Sequence, residues 1–210
     1  MGSRLPRSFY ERSAIEVARE LLGARLVRCY AGERLAGVIL ETEAYQGEED
    51  LACHARAGLT PRTQVMYGAG GHAYVYFTYG VHWMFNVVTE PAGRPAAVLV
   101  RAIQPVEGIG AVTGLRAVPA PRRGAQPGPN GLPPMSGWTD GPGKLTQAFA
   151  ISGALNGVDL CAADSELWIE PGESIPDGQV SRGPRVGIAN VPEPWRSTPW
   201  RFMAQADLQK

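Results

Sequence analysis

From Leu35 to Tyr45 the residues alternate with a period of two, and this run constrains the fold more than any other stretch of the chain. A strand turns successive side chains to opposite faces, so Ile39, Glu41, Glu43 and Tyr45 are expected on one side and Val38, Leu40, Thr42 and Ala44 on the other. The second set reads as core, while the first sets two carboxylates beside an aromatic ring. Leu26 to Tyr30 supplies a partner across a turn at Ala31-Gly32-Glu33, which predicts a β-hairpin. Ahead of it, Ser13 and Glu16 have the spacing of a capping box, Ile15, Val17, Ala18, Leu21 and Leu22 recur at helical intervals, and Gly23 supplies a stop. The pattern predicts a short amphipathic helix from Ser13 to Leu22.

Gln46 to Gly71 is polar and glycine-rich, with Pro61 near its middle, and reads as a long loop with a helical turn; such loops in small domains usually carry function. A second hairpin is expected from Ala73, with Tyr74, Tyr76 and Thr78 on one face, Val75 and Phe77 on the other, a turn at Tyr79-Gly80, and a return from Val81 to Thr89. Tyr79 then sits at the tip, where a large ring has little core to join. Ala96 to Ile103 is an apolar strand interrupted by Arg101, a charge that is costly in such a run unless an anion from a neighbouring strand meets it; Glu41 and Glu43 are of the right kind. Farther on, Ala117 to Gly143 reads as an exposed, proline- and glycine-rich loop and Pro142 to Ile151 as a short helix. Val158 to Glu170 is an apolar segment, Pro184 to Ile188 is expected as a last core strand, and Trp195 to Met203 as the segment that packs the end of the chain.

Composition narrows the classes. With 210 residues, 44% of them hydrophobic and 19% charged, the chain can bury one substantial core, and one domain over residues 1–210 is expected. No apolar run is long enough for a bilayer and the N-terminus lacks the apolar block of a signal peptide, so a cytoplasmic address, nucleoid-associated in action, with no membrane partner, is expected. Cys29, Cys53 and Cys161 fit neither a disulfide framework nor a zinc ribbon. His54, His72 and His82 have no metal-ligand spacing, so neither a metal nor another cofactor is expected. Gly141-Pro142-Gly143-Lys144-Leu145-Thr146 approaches a phosphate loop but fails it, since Trp138 stands in place of the first glycine and Leu145 in place of the hydroxyl residue. The charge balance is 20 against 20, so a nucleic-acid partner would have to be held by a local arginine surface, with Arg56, Arg62, Arg122 and Arg123 as candidates.

Three chemistries are open to these residues. Glu43 could act as a general base, with Arg101 as its counter-charge. Glu41 and Glu43, roughly 7 Å apart on one strand face, could act as the carboxylate pair of an inverting glycoside hydrolase. Tyr45, Tyr74, Tyr76 and Tyr79 could bind nucleic acid without chemistry, flat rings holding a planar base and a tip ring entering the stack.

Motifs along most of the chain resemble one family. Glu41-Thr-Glu-Ala-Tyr45, Gly47, Asp50, His54, Tyr74-Val-Tyr76, Tyr79-Gly80, Asn86, Val98-Leu-Val-Arg101-Ala, Gly141-Pro-Gly-Lys144-Leu, Arg185-Val-Gly-Ile188 and Arg201-Phe202 occur in the order seen in alkyladenine (methylpurine) DNA glycosylases. The resemblance implies an α+β fold, a single mixed domain around a curved antiparallel sheet with a protruding β-hairpin and short flanking helices. It also implies excision of alkylated or deaminated purines from double-stranded DNA by a monomer. Glu43 is similar to the general base that activates water, and Arg101 and the main-chain carbonyl of Val186 to the groups that hold that water. Tyr45 on one side, with His54 and Tyr76 on the other, resembles the stack around the flipped base. Asn86 is similar to the residue that disfavours a 2-amino purine, and Tyr79 to the wedge that fills the gap. Val81, His82 and Met84 depart from what relatives often carry. Strand cutting through a Schiff base needs an amine, and the available amines, Lys144, Lys210 and the N-terminus, all lie outside the stretch from Leu40 to Asn86 that carries most of the site motifs, so a monofunctional enzyme is expected.

Overall fold

The structure, a computed structural model, describes residues 3–78, 80–116 and 138–205. Two short helices, α1 (Arg7–Tyr10) and α2 (Ala14–Glu20), lead into strands β1 (Arg25–Tyr30) and β2 (Glu33–Gln46). Two 3₁₀ turns, His54–Ala57 and Gln64–Tyr67, interrupt the long loop before β3 (Ala73–Thr78), β4 (His82–Thr89) and β5 (Ala96–Glu107). Helices α3 (Ile109–Arg116) and α4 (Pro142–Ala148) and strands β6 (Leu167–Glu170), β7 (Val180–Gly183) and β8 (Arg201–Ala204) complete the described chain. Much of the predicted loop from Ala117 to Gly143, with Arg122 and Arg123, lies outside the described residues, as do Tyr79 and Lys210.

The predicted N-terminal helix forms as α2. The Ser13 hydroxyl caps it by accepting from the Ile15 N–H at 3.3 Å, and Ala14, Val17 and Ala18 turn inward. It ends where Gly23 adopts φ +88°, and the Gly23 N–H then donates to Ile39 O, which carries the chain straight into β1. Leu21 and Leu22 stay in the core beyond the last helical residue. The helix is fastened to the sheet by Thr42, whose buried hydroxyl donates to Ala18 O at 2.7 Å.

All eight strands join one antiparallel sheet in the order β3-β4-β5-β2-β1-β6, with β8 on β2 and β7 on β8. Strand β2 is the spine: β5 runs along one edge, while β1 pairs with its first half and β8 with Glu41–Glu43 on the other edge. Helices and sheet together make the α+β architecture that the motifs imply, and the sheet is curled. One cause is visible in β2, whose pairing with β5 shifts between Ile39 and Glu41 and again between Glu41 and Thr42. Such a bulge adds a residue to one strand, bends it and reverses which side chains face which side. It therefore corrects the predicted faces: Leu35 and Ile39 belong to the core before the bulge, Thr42 and Ala44 are fully buried after it, and Ile39 does not share a side with Glu43.

The alternation holds elsewhere. Ala73, Val75, Phe85, Val87, Val98 and Val100 face the main core under α2 and α4, whereas Tyr74, Val88 and Ala97 face a smaller cluster with Cys53, Ala55 and Met66 beneath the long loop. The predicted second hairpin forms with Thr78 opposite His82. On its outer part Phe77 remains 47% exposed and packs against Trp83, the ring centroids 4.8 Å apart and the planes tilted by 51°.

One element differs outright: Pro184 to Ile188 is not a strand. The last strands are β7 and β8, and the segment between them is irregular because its groups bond elsewhere. The Val186 N–H donates to a side chain rather than to a ladder, Gly187 takes φ +80°, and the Arg185 side chain is buried in an ion pair.

At Gly23 the left-handed backbone coincides with a close approach, for a Cβ there would lie 2.0 Å from Glu173 O. Gly23→Ala is expected to destabilise the protein by about 2–3 kcal/mol, read as a lower urea midpoint, because strain and a backbone clash coincide.

Candidate active site

Strand registers bring one row of side chains together across the sheet. Glu43 on β2 is opposite Leu99 on β5, Leu99 is opposite Asn86 on β4, and Asn86 is opposite Tyr74 on β3. With strands about 4.8 Å apart, Glu43 and Asn86 are separated by roughly 10 Å, about the span of a purine nucleoside. Above this floor lies a cavity of about 440 Å³. Tyr45, Tyr74, Tyr76, Asn86, Leu99 and Arg101 line it from the sheet, Cys53, His54 and Arg56 from the long loop, and Val186 to Ile188 from the irregular segment. Such a cavity, mostly aromatic and apolar with a few convergent polar groups, is the expected form of a small-ligand site.

Glu43 is the most constrained group. Its side chain is 0% exposed, yet each oxygen is met: Oε1 accepts the Val186 N–H at 2.7 Å and lies 3.4 Å from Arg101 Nε, while Oε2 accepts the Tyr45 hydroxyl at 2.9 Å. Burial pushes its proton affinity above the ordinary carboxylate value; Arg101, the Val186 N–H and the Tyr45 hydroxyl pull the other way, and Glu41 adds to the rise. Burial wins, so the group is a stronger base than a solvated glutamate. The contact made by Val186 is through its N–H, alongside the carbonyl role that the family resemblance implies.

Glu41 has a different part. It lies within the irregularity, beside Arg101 Nε at 2.8 Å and Arg201 Nε at 2.9 Å, so charges alternate along Arg201, Glu41, Arg101 and Glu43 across β8, β2 and β5. Glu41 is held by two guanidiniums, and neither carboxylate lines the cavity itself; Glu43 lies behind the lining residues Tyr45, Arg101 and Val186, so the two do not flank the cavity as a pair.

The aromatic groups meet as a set. The His54 and Tyr76 rings lie 4.5 Å apart at 71°, and Tyr74 is 5.3 Å from Tyr76. His54 Nδ1 bonds the Tyr74 hydroxyl at 2.9 Å, and the exposed Arg62 covers the Tyr76 ring at 5.1 Å. Burial first, then Arg62 and Arg56, lowers the His54 pKa to about 4. The imidazole is therefore neutral at physiological pH and adds no positive charge to the wall. Asn86 is buried and donates from Nδ2 to Tyr74 O at 3.1 Å, which sets its orientation at the floor.

Of the residues anticipated from sequence, Glu43, Arg101, Val186, Tyr45, His54, Tyr76 and Asn86 converge here; Tyr79 lies outside the described residues. Lys144, on α4, forms an ion pair with Asp140, just before the helix, at 2.7 Å. Among the described residues no group of acidic, histidine and cysteine side chains is arranged to hold a metal ion. Sequence reading missed the roles of Asp50, Arg185 and Arg201. Arg185 and Asp50 form an ion pair in which both side chains are 0% exposed, and Asp50 also accepts the Gln46 and Ala52 N–H groups. Only the contrast between a charge and its apolar neighbours marks such residues in a sequence, and Asp50 sits in a polar loop where that contrast vanishes.

Comparison with known proteins gives one answer. The profile of the methylpurine-DNA glycosylase (MPG) family matches residues 8–208. Three relatives are named as 3-methyladenine DNA glycosylases. One, from Myxococcus xanthus, is 49% identical over 94% of this chain and 88% of its own length. A second, from Methanocella arvoryzae, is 46% identical over 94% and 90%, and a third, from Carboxydothermus hydrogenoformans, is 44% identical over 94% and 93%.

Removing the Asp50 charge while keeping its shape leaves the Arg185 guanidinium buried without an anion. Asp50→Asn is expected to cost about 3–5 kcal/mol, measured as a fall in the urea midpoint with an unchanged slope.

Proposed function

The chain belongs to the methylpurine-DNA glycosylase family, and from that premise we propose that Glu43 activates the water that releases a damaged purine from double-stranded DNA. The protein is a DNA glycosylase, an N-glycosyl hydrolase acting in DNA repair. In the proposed reaction a water oxygen attacks the anomeric carbon while the Glu43 carboxylate takes its proton. The N-glycosidic bond breaks, and the base leaves with the bonding electrons. Arg101 and the main chain at Val186 hold the water and the carboxylate in register. The observation that carries this reading is a fully buried carboxylate, with both oxygens hydrogen-bonded, held by Tyr45, Val186 and Arg101, which all line the aromatic cavity.

The walls suit the substrate class. Alkylated purines such as 3-methyladenine carry positive charge, which aromatic faces attract, and a neutral His54 does not repel. Tyr45 stacks on one side of the flipped base and His54 and Tyr76 on the other, while Asn86 disfavours a purine with a 2-amino group. A cationic base is already a good leaving group, so one base suffices; deaminated purines such as hypoxanthine belong to the range proposed here and react more slowly. Tyr79 is assigned the wedge. Extrusion is cheapest where pairing is already damaged, which favours lesions before any chemistry occurs. The proposal further takes residues 1–210 as one glycosylase domain working as a monomer and binding DNA through exposed arginines, Arg56 and Arg62 among them. Among the described residues no helix is long and apolar enough to cross a membrane.

Duplex DNA with alkylated purines, treated with alkali after incubation, separates this reading from its rivals. Glu43→Gln is expected to retain lesion binding and lose roughly 10²–10⁴-fold in base release; full activity would sink the mechanism. Tyr79→Ala is expected to weaken lesion binding, and strand breaks without alkali would refute monofunctional action. Because the base must be ionised, the rate falls as pH drops through the Glu43 pKa; since burial raises that pKa, the acid limb should lie above 4.5, where an ordinary glutamate would place it.

A further inference from the structure

Arg185 touches all three segments that build the cavity without lining it. Its Nη1 donates to Ala44 O at 2.9 Å and to Asp50 Oδ2, and its Nη2 donates to Asp50 Oδ1 at 2.8 Å and to Trp195 O at 3.4 Å. The guanidinium carbon lies over two rings, 4.7 Å from the centroid of Tyr45 and 5.1 Å from that of Trp200. These contacts connect to groups of the proposed site. Ala44 precedes Tyr45, Ala52, held by Asp50, is two residues before His54, and Arg185 itself precedes Val186, whose N–H bonds Glu43.

A buried ion pair is by itself poor evidence of stability, since well-packed apolar residues of the same volume often serve better. What it supplies here is relative position. A guanidinium is flat, forks to two oxygens of one carboxylate, and stacks; an ammonium ion does none of these. With the guanidinium over one face of Tyr45, the other face is left for a ligand, while the Tyr45 hydroxyl donates to Glu43 Oε2.

We infer that Arg185, paired with Asp50 and backed by Trp200, is a positioning residue for base excision: one buried guanidinium fixes the stacking ring, the opposing loop and the main-chain donor to the base in a single frame. The inference rests on the reading of Glu43 as the base. It goes beyond that reading by assigning the catalytic geometry to a residue that touches neither water nor substrate.

The test uses the full chain and DNA methylated with dimethyl sulfate, following released 3-methyladenine in single turnovers with enzyme in excess. Arg185→Lys keeps the charge and removes the fork and the plane. Its rate at saturating enzyme is expected to fall about 100-fold, the scale of an ångström of misplacement. Binding of the same DNA, measured in a Glu43→Gln background so that no base is released, should weaken by no more than about threefold, so the loss lies in turnover and not in affinity. The acid limb of the rate should also move upward, because the Val186 donor that favours ionised Glu43 is displaced. A folded Arg185→Lys protein with parental rate and acid limb overturns the inference, as does a rate loss that only follows the folded fraction. Trp200→Leu removes the half-buried backing ring and should shift rate and acid limb in the same direction; if Arg185→Lys does not fold, an unchanged Trp200→Leu protein overturns it instead. Parental base release by Glu43→Gln would discard the base assignment alone, and the Arg185→Lys rate would still report on the frame.

Discussion

The site depends on keeping one carboxylate dry. Glu43 is buried completely, and an isolated charge in such a place would be expelled or neutralised. It is retained because a main-chain N–H, a phenol hydroxyl and a guanidinium converge on its two oxygens. These contacts do not cancel the burial, and Glu43 keeps a proton affinity above that of a solvated glutamate. Each donor comes from a different place: Val186 from the irregular segment, Tyr45 from the same strand, Arg101 from β5. The carboxylate therefore ties three parts of the fold to one point.

The sheet delivers those parts by geometry alone. Antiparallel registers place Glu43, Leu99, Asn86 and Tyr74 in a row, and the bulge in β2 sets which face that row occupies. Without the extra residue near Glu41, the alternation that buries Leu35 and Ile39 in the main core would have buried Glu43 there as well. The same bend lets β8 pair with Glu41–Glu43, and so brings Arg201 to Glu41. A local irregularity thus links Arg101 to Arg201 through a chain of alternating charges.

Irregular backbone is used again between β7 and β8. Pro184 to Ile188 has the composition of a strand, yet its donors and side chains are spent on the site: the Val186 N–H on Glu43, the Arg185 fork on Asp50 and the main chain at Ala44 and Trp195. A ladder would have satisfied the Val186 N–H with a carbonyl and left the carboxylate without its shortest hydrogen bond. Here functional geometry overrides local propensity, and the buried ion pair keeps the unpaired segment in place.

Much of this protein was legible in its residues. The capping serine and the helical spacing gave α2, the period of two gave both hairpins, and a lone arginine in an apolar strand pointed to an acidic partner. Those signals are local, arising within a turn or a strand pair, and so survive in a linear reading. Family motifs added the residue set of the site and the expected class of reaction. Tertiary structure alone decided which of two glutamates is buried, because a bulge is a property of pairing between strands and leaves no period in the sequence. It alone brought Asp50 and Arg185 together, 135 residues apart, since a long-range ion pair is chosen by the packing that encloses it. The chain determined which groups were available; the sheet and its irregularities determined which of them could meet away from water.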